Sequence, residues 1–282
     1  MYIGEKWLPY RGIGAEHSFC VHSSFDKVIN ISTDTGIMAI TAEAAGASSS
    51  FIGVSGGNLG CNSTIGRRCF IKDGILRLDS ETFNFKSASI WKGPIGKDYK
   101  NYRIKIENIA ALKAVLDRKA AENSAWRQIH DYPAGSHSNT ASRFDGLKAV
   151  LKLDKNPLEA RNLIGLGQGL TPAGDDILLG FLAVVNHTWK NREYAEELHK
   201  TISALVDKTA DISKQALVNA LNGDYHEYIQ NCIRDLCEGN SEEVYISAAS
   251  LLKMGATSGS DIACGIYFGM RGANAFQDIT KT

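Results

Sequence analysis

"IGLGQGLTPAGDDILLGFLAVV", residues 164–185, sets three glycines at alternate positions, then a Thr-Pro pair, two adjacent acids and an apolar run. Gly165, Gly167 and Gly169 permit a sharp backbone turn and close approach of the backbone to a ligand. Thr171 has the chemistry of a helix cap, and Pro172 suits the first helical position, where its fixed φ helps and its missing N–H costs nothing. Asp175 and Asp176 then fall in the first turn, against the positive end of the helix dipole. Such a glycine-rich turn feeding a helix is a ready anion site. It is not a phosphate-binding P-loop, because the Lys-Ser/Thr ending is missing. The Gly-x-Gly-x-Gly spacing and the helical look of "NPLEARNLI" before it argue against a dinucleotide fold.

Two carboxylates beside an anion cradle would repel the anion. A magnesium ion bridging acid and phosphate relieves this. So does an Asp turned away to cap backbone. So does a ligand that offers N–H groups to an Asp and its negative end to backbone amides, as a carbamoyl or amide compound does.

A similar pattern returns in "GATSGSDIACGIYFG", Gly255–Gly269. Thr257, Ser258 and Asp261 precede Gly265 as Thr171 and Asp176 precede Gly180. Residues i and i+4 share a helix face, so each Asp stands above a glycine. The bare stripes predict that the two helices pack closely and bring Asp176 and Asp261 to one pocket. Read blandly, the same glycines are packing spacers and the acids are caps. Between the two copies lies "TADIS", with Thr209 and Ser213 four apart and able to face one way.

Working outward, the chain before about residue 92 reads as strands: "FCVHSSFDKVINIS", "GIMAITAE", "SSFIGVS", "CFIKDGILRL" and "TFNFKSASIW". Asp73-Gly74 is a hairpin signal. From Tyr102 the spacing becomes helical. "IENIAALKAVLDRKAAENSAW" places Ile106, Ile109, Leu112, Leu116 and Ala120 on one stripe. A helix is expected over Arg143–Lys152, a short one from Pro157, and four more before Gly255, with Gly223, Gly239 and Gly255 as stop signals. The fold class is therefore α+β. An antiparallel β-sheet or small barrel fills residues 1–100, and an all-helical domain carrying the Gly-rich and Asp motifs fills 101–282.

The chain has 282 residues, with 31 Lys+Arg against 31 Asp+Glu. Zero net charge gives no basic footprint for nucleic acid. The six cysteines form no Cys-x-x-Cys pair and no zinc spacing, which suits free thiols in a reducing cytosol. The start lacks the apolar stretch of a signal peptide, and the longest apolar run, Ile177–Val185, is far short of the ~20 residues of a membrane span. A cytoplasmic protein with no nucleic-acid or membrane partner is expected. The loop "SGGNLGCNSTIG", Ser55–Gly66, and the histidines His17, His22, His130 and His137 are weaker candidates, because no His has an acid or nucleophile partner in sequence. No residue is assigned to a metal.

The order of these features resembles the AllH family, a subunit of oxamate carbamoyltransferase. The resemblance rests on "GLGQGLTPAGDD", "TADIS" and "TSGSDIACG", with "VHSSFDKVINISTDTGIMAI" and "GILRLDSETFNFKSASIW" in the β-rich part. Gln168 stands where the family usually has Pro, and Ala256 where a bulkier polar residue or His is common. The resemblance implies carbamoyl transfer between oxalurate and phosphate, giving oxamate and carbamoyl phosphate, in anaerobic allantoin and purine breakdown. It also implies two other kinds of subunit as partners, small anionic and carbamoyl substrates, and a carbamate kinase downstream. On that reading amides near Gly165, Gly167 and Gly169 hold the anion. Asp176 or Asp261 acts at the carbamoyl N–H₂ or at a magnesium ion. Thr171, Thr257 and Ser258 bond the carbonyl or phosphate, with Asp175, Thr209 and Ser213 around them. Two other readings compete: a magnesium-dependent hydrolase or phosphotransferase built on Asp175, Asp176 and Asp261, and a non-catalytic scaffold subunit.

Overall fold

The computed structural model describes residues 1–42, 46–55, 59, 65–93, 98–130 and 146–279, with side chains as far as 274. The chain forms two compact units, Met1–Ile95 and Gly96–Thr282.

In the first unit the described residues form β1 (Tyr2–Gly4), β2 (His17–Phe25), β3 (Val28–Thr33), β4 (Gly36–Ala42), β5 (Phe51–Val54), β6 (Arg68–Lys72), β7 (Ile75–Leu78), β8 (Glu81–Asn84) and β9 (Ser89–Trp91). They make one sheet, a half-barrel, in the order β8-β7-β6-β2-β3-β4-β5-β1-β9. The sheet is mixed: β4 runs parallel to β5 and β1 parallel to β9, and the other ladders are antiparallel. The stretch around Asp26-Lys27 is a turn, so "FCVHSSFDKVINIS" folds as two strands with Phe25 opposite Val28. Asp73 and Gly74 both have positive φ, 49° and 69°, as the tight turn of a two-residue hairpin requires. Phe19, Val21, Ile29, Ile31, Met38, Ile40 and Ile52 are buried in the unit's core. Trp7 closes it from the 3₁₀ turn Glu5–Tyr10, its indole N–H donating to the Ser50 carbonyl at 2.8 Å. Burying a ring of this size requires such a partner for its N–H.

The second unit is helical: α1 (Ile106–Lys119), α2 (Ala125–His130), α3 (Val150–Leu153), α4 (Ala173–Thr188), α5 (Arg192–Leu205), α6 (Asp211–Leu221), α7 (Glu227–Glu238), α8 (Ser241–Leu251) and α9 (Ser258–Ile279), with a 3₁₀ turn over Pro157–Asn162. The long helix expected over residues 106–126 is broken between Lys119 and Ala125. Its stripe is Ile109, Leu112, Val115 and Leu116, while Ile106 is exposed. Ile106 is the first residue of α1, before the helix reaches the core. Only the part from Gly146 of the helix expected over Arg143–Lys152 lies within the described residues: Gly146 and Leu147 are helical, residues 148–149 form a turn, and α3 follows. Gly223 and Gly255 end their segments with positive φ; Gly239 ends α7 in extended backbone instead. Asn240 begins α8 with a full capping box closed by Glu243. Among the described residues no helix is long and apolar enough to cross a membrane.

At the centre of this unit α4 packs along α9. A Cβ added at Gly180 would stand 2.0 Å from the Ile262 carbonyl oxygen, and one at Gly265 would stand 2.0 Å from that of Ile177. The contact is reciprocal. Each glycine faces the carbonyl of the residue that follows the other helix's aspartate. Gly269 continues the seam against the Val184 side chain. The bare stripes read from the sequence are the surface on which the helices meet.

Candidate functional site

The turn before α4 is shaped by left-handed backbone at Gly165, Gly167 and Gly169, with φ of 70°, 137° and 84°. At two of these the protein itself presses on the missing side chain. A Cβ on Gly167 would lie 2.6 Å from the Ala173 nitrogen, and one on Gly165 would lie 2.9 Å from the Lys208 carbonyl. The turn folds back so that Gly174 N–H donates to the Leu166 carbonyl at 2.8 Å. That bond satisfies an amide of the first helical turn from the backbone. The expected cap at Thr171 is therefore not made: Pro172 occupies the cap position, with no side-chain cap bond, and α4 begins at Ala173. The Thr171 hydroxyl instead shares a 2.9 Å hydrogen bond with the Ser258 hydroxyl at the start of α9.

Asp175 ties the turn to its own helix. One carboxylate oxygen accepts from Gly165 N–H at 2.8 Å and the other from the Thr209 hydroxyl. Ser213, on α6, adds a further hydrogen bond. Thr209 and Ser213 thus do face one way, toward Asp175. The Gly165 amide is taken by this carboxylate rather than turned outward. Burial raises the Asp175 pKa, and the Thr209, Gly165 and Ser213 bonds oppose the rise. A cation at Asp175 would have to displace donors from both of its oxygens. Among the described residues no three His, Cys, Asp or Glu side chains gather as a metal site.

Asp176 and Asp261 each stand at the fourth position of their helices. Asp261 N–H donates to the Thr257 carbonyl at 3.0 Å, and its Oδ1 accepts from Ala125 N–H at 2.6 Å, at the start of α2. Beside it the Ser260 hydroxyl accepts from Ala121 N–H at 3.0 Å. The sequence reading missed Ser260 and the 121–125 segment. Ser124, just before Ala125, was the available signal of a new helix start. Asp176 is sealed as well, with 4 % of its surface exposed against 0 % for Asp261. Its Oδ2 has no hydrogen-bond partner. Burial drives the Asp176 pKa well above the usual carboxylate range; the Ser258 hydroxyl bond lowers it, and the charges of Asp261 and Asp175 raise it further. Two neighbouring acids in a site of low dielectric do not both ionise readily, so burial and both neighbours push Asp176 toward its neutral form. Repulsion of an anion by the acid pair is weakened accordingly.

Gly165, Thr171, Asp175, Asp176, Thr209, Ser213, Ser258 and Asp261 therefore form one polar cluster where α4, α6 and α9 begin. Thr257 joins through its carbonyl. Gly167 and Gly169 shape the rim, and among the described residues neither N–H donates to a protein acceptor. The cluster is closed below and open above: the three acids are buried, whereas Thr171, Thr257, Ser258 and Gly167 are partly exposed and Gly169 is exposed. A cavity of about 450 Å³ borders the turn at Leu166 and is lined also by Lys148, Lys152 and Asn162 among others; none of the three acids lines it. His130 stacks on Trp126 in α2. His137 and most of the Ser55–Gly66 loop lie outside the described residues.

The family model described as oxamate carbamoyltransferase subunit AllH matches residues 163–270. That span holds the glycine turn, both aspartate motifs and the Thr209–Ser213 segment. No curated protein and no solved structure matches the chain.

Proposed function

We propose that this chain is a subunit of a carbamoyltransferase that moves a carbamoyl group between oxalurate and phosphate. One observation carries the reading: the family match spans two remote aspartate motifs, and those motifs meet at a single polar cluster with a part-exposed hydroxyl rim. In the reaction a phosphate oxygen attacks the carbamoyl carbon of oxalurate. The carbon–nitrogen bond breaks, oxamate leaves with the phosphate proton on its nitrogen, and carbamoyl phosphate forms. The turn amides of Gly167 and Gly169, at the positive end of α4, suit the anionic end of either substrate. The hydroxyls of Thr171, Thr257 and Ser258 suit carbonyl or phosphate oxygens. Preorganised donors of this kind are often the largest catalytic contribution.

The proposal includes partner subunits of the same enzyme, a cytoplasmic setting in anaerobic allantoin breakdown, and no nucleic-acid or membrane partner. The engaged oxygens of Asp175 disfavour a magnesium-dependent hydrolase. The test is phosphate-dependent cleavage of oxalurate by this chain alone, by its partner subunits alone and by the mixture. Activity that requires this chain, and that falls at least tenfold with Thr171→Val and Ser258→Ala together, is the expected result. Full activity of the mixture with both substitutions would leave the chain as a scaffold.

A further inference from the structure

Asp176, Asp175 and Asp261 differ in what holds them. Asp175 and Asp261 are fastened to backbone N–H groups, at Gly165 and Ala125. Asp176 is joined to a side-chain hydroxyl, that of Ser258. Its second oxygen is enclosed and unpartnered, which is costly for an ionised carboxylate and much less so for the carbonyl oxygen of a neutral acid. A sealed carboxyl cannot reach a ligand at the rim. Ser258 can, because it is part-exposed, begins α9, and also touches Thr171.

We propose that Ser258 is the hydroxyl through which this site holds a ligand oxygen, and that Asp176 is a positioning residue that sets which way that hydroxyl points. The carbamoyl-transfer reading supplies only the ligand's identity. A hydroxyl has one hydrogen and two lone pairs. When Asp176 is neutral, its proton sits on the oxygen facing Ser258 and is donated to Oγ. Ser258 then keeps its own hydrogen for the rim, where it donates to a carbonyl or anionic oxygen. When Asp176 ionises, Ser258 must donate inward, and the rim receives lone pairs that repel an anion. The charges that act on Asp176 are those of Asp261, from α9, and Asp175, from its own helix.

The test is calorimetric titration of the full chain with oxalurate, and separately with inorganic sulfate, at pH values below and above the loss of the Asp176 carboxylic-acid infrared band. The wild-type chain should bind more weakly as pH rises. Ser258→Ala should lose about fivefold in affinity at the acid end, the worth of one hydrogen bond, with Ser258→Thr restoring it. Asp176→Asn should flatten the pH dependence. Circular dichroism of each variant establishes that it is folded. Wild-type affinity that does not change with pH overturns the role of Asp176, and unchanged binding by Ser258→Ala overturns the role of Ser258. No binding of either probe overturns both. Sulfate binding with the expected Ser258 and pH dependence, without any oxalurate binding, upholds the inference and removes the carbamoyl-transfer reading.

Discussion

Replacing Gly180 by Ala tests the seam on which the site depends. The added methyl would arrive 2.0 Å from the Ile262 carbonyl oxygen, whereas ordinary contact begins at 3.4 Å, so the helices must part by more than an ångström. The clashing atom is backbone and cannot swing aside. Overpacking a core costs about 1–3 kcal/mol. Parting also loosens Ile177, Phe181, Ile262 and Ile266, all fully or almost fully buried, and a gap of 0.5–1 Å forfeits roughly a quarter to a half of each contact's dispersion energy. Against this, Ala is the better helix former by about 1 kcal/mol. The expected net loss is about 2–4 kcal/mol for Gly180→Ala, and the same for Gly265→Ala, whose methyl meets the Ile177 carbonyl at 2.0 Å. One parting relieves both clashes. The double variant should therefore lose less than the two single losses added together, by about 1 kcal/mol or more. Urea unfolding followed by far-ultraviolet circular dichroism, with fluorescence of Trp126 and Trp189, reads the helical transition. Single variants as stable as wild type, or more so, would refute the close crossing. Strictly additive losses would refute the reciprocity.

Three further outcomes follow from the acids. Because burial raises the Asp176 pKa, the folded chain holds that proton above the ordinary value of 3.8. The stabilising contribution is present below that value and fades as pH rises through the folded pKa, at about 1.4 kcal/mol per pH unit within the window. Asp176→Asn should remove this slope, so its urea midpoint should gain on that of wild type between pH 4.5 and 7; parallel curves would contradict the buried acid. Thr209→Val deprives a buried Asp175 oxygen of its donor and should cost about 1–3 kcal/mol, and a loss under 0.5 kcal/mol in the same assay would mean the bond is dispensable. Asp261→Asn keeps an acceptor for Ala125 N–H and removes the charge that raises Asp176. The Asp176 carboxylic-acid infrared band should then vanish at lower pH than in wild type, and an unmoved band would separate the two acids.

What was legible in the sequence is what local spacing encodes. The Asp73-Gly74 turn, the bare faces at Gly180 and Gly265, and the stops at Gly223 and Gly255 each follow from a few neighbouring residues. Pairings between distant segments were not legible. Three-residue β1 lies between β5 and β9, and nothing in "YIG" announces either neighbour. Ala125, which binds Asp261 across 136 positions, offers only a backbone amide, which any residue possesses. Thr171 shows a local preference overridden: capping chemistry was present, yet the folded-back turn satisfied the helix first and released the hydroxyl to Ser258. The cluster's membership could thus be read from composition and period, but not the division of its acids between backbone and hydroxyl partners.

The reciprocal crossing also has a mechanical side. Gly180 lies four residues beyond Asp176 and eight before Thr188, the last residue of α4, which at 1.5 Å per residue is about 6 Å on one arm and about 12 Å on the other. Two rods braced backbone to backbone at such a point resist sliding past one another, and they are tied again farther along, where the Trp189 indole N–H donates to the Gly269 carbonyl at 3.1 Å. A displacement imposed at the acid-bearing tips would therefore move the two rods as one body as far as Trp189.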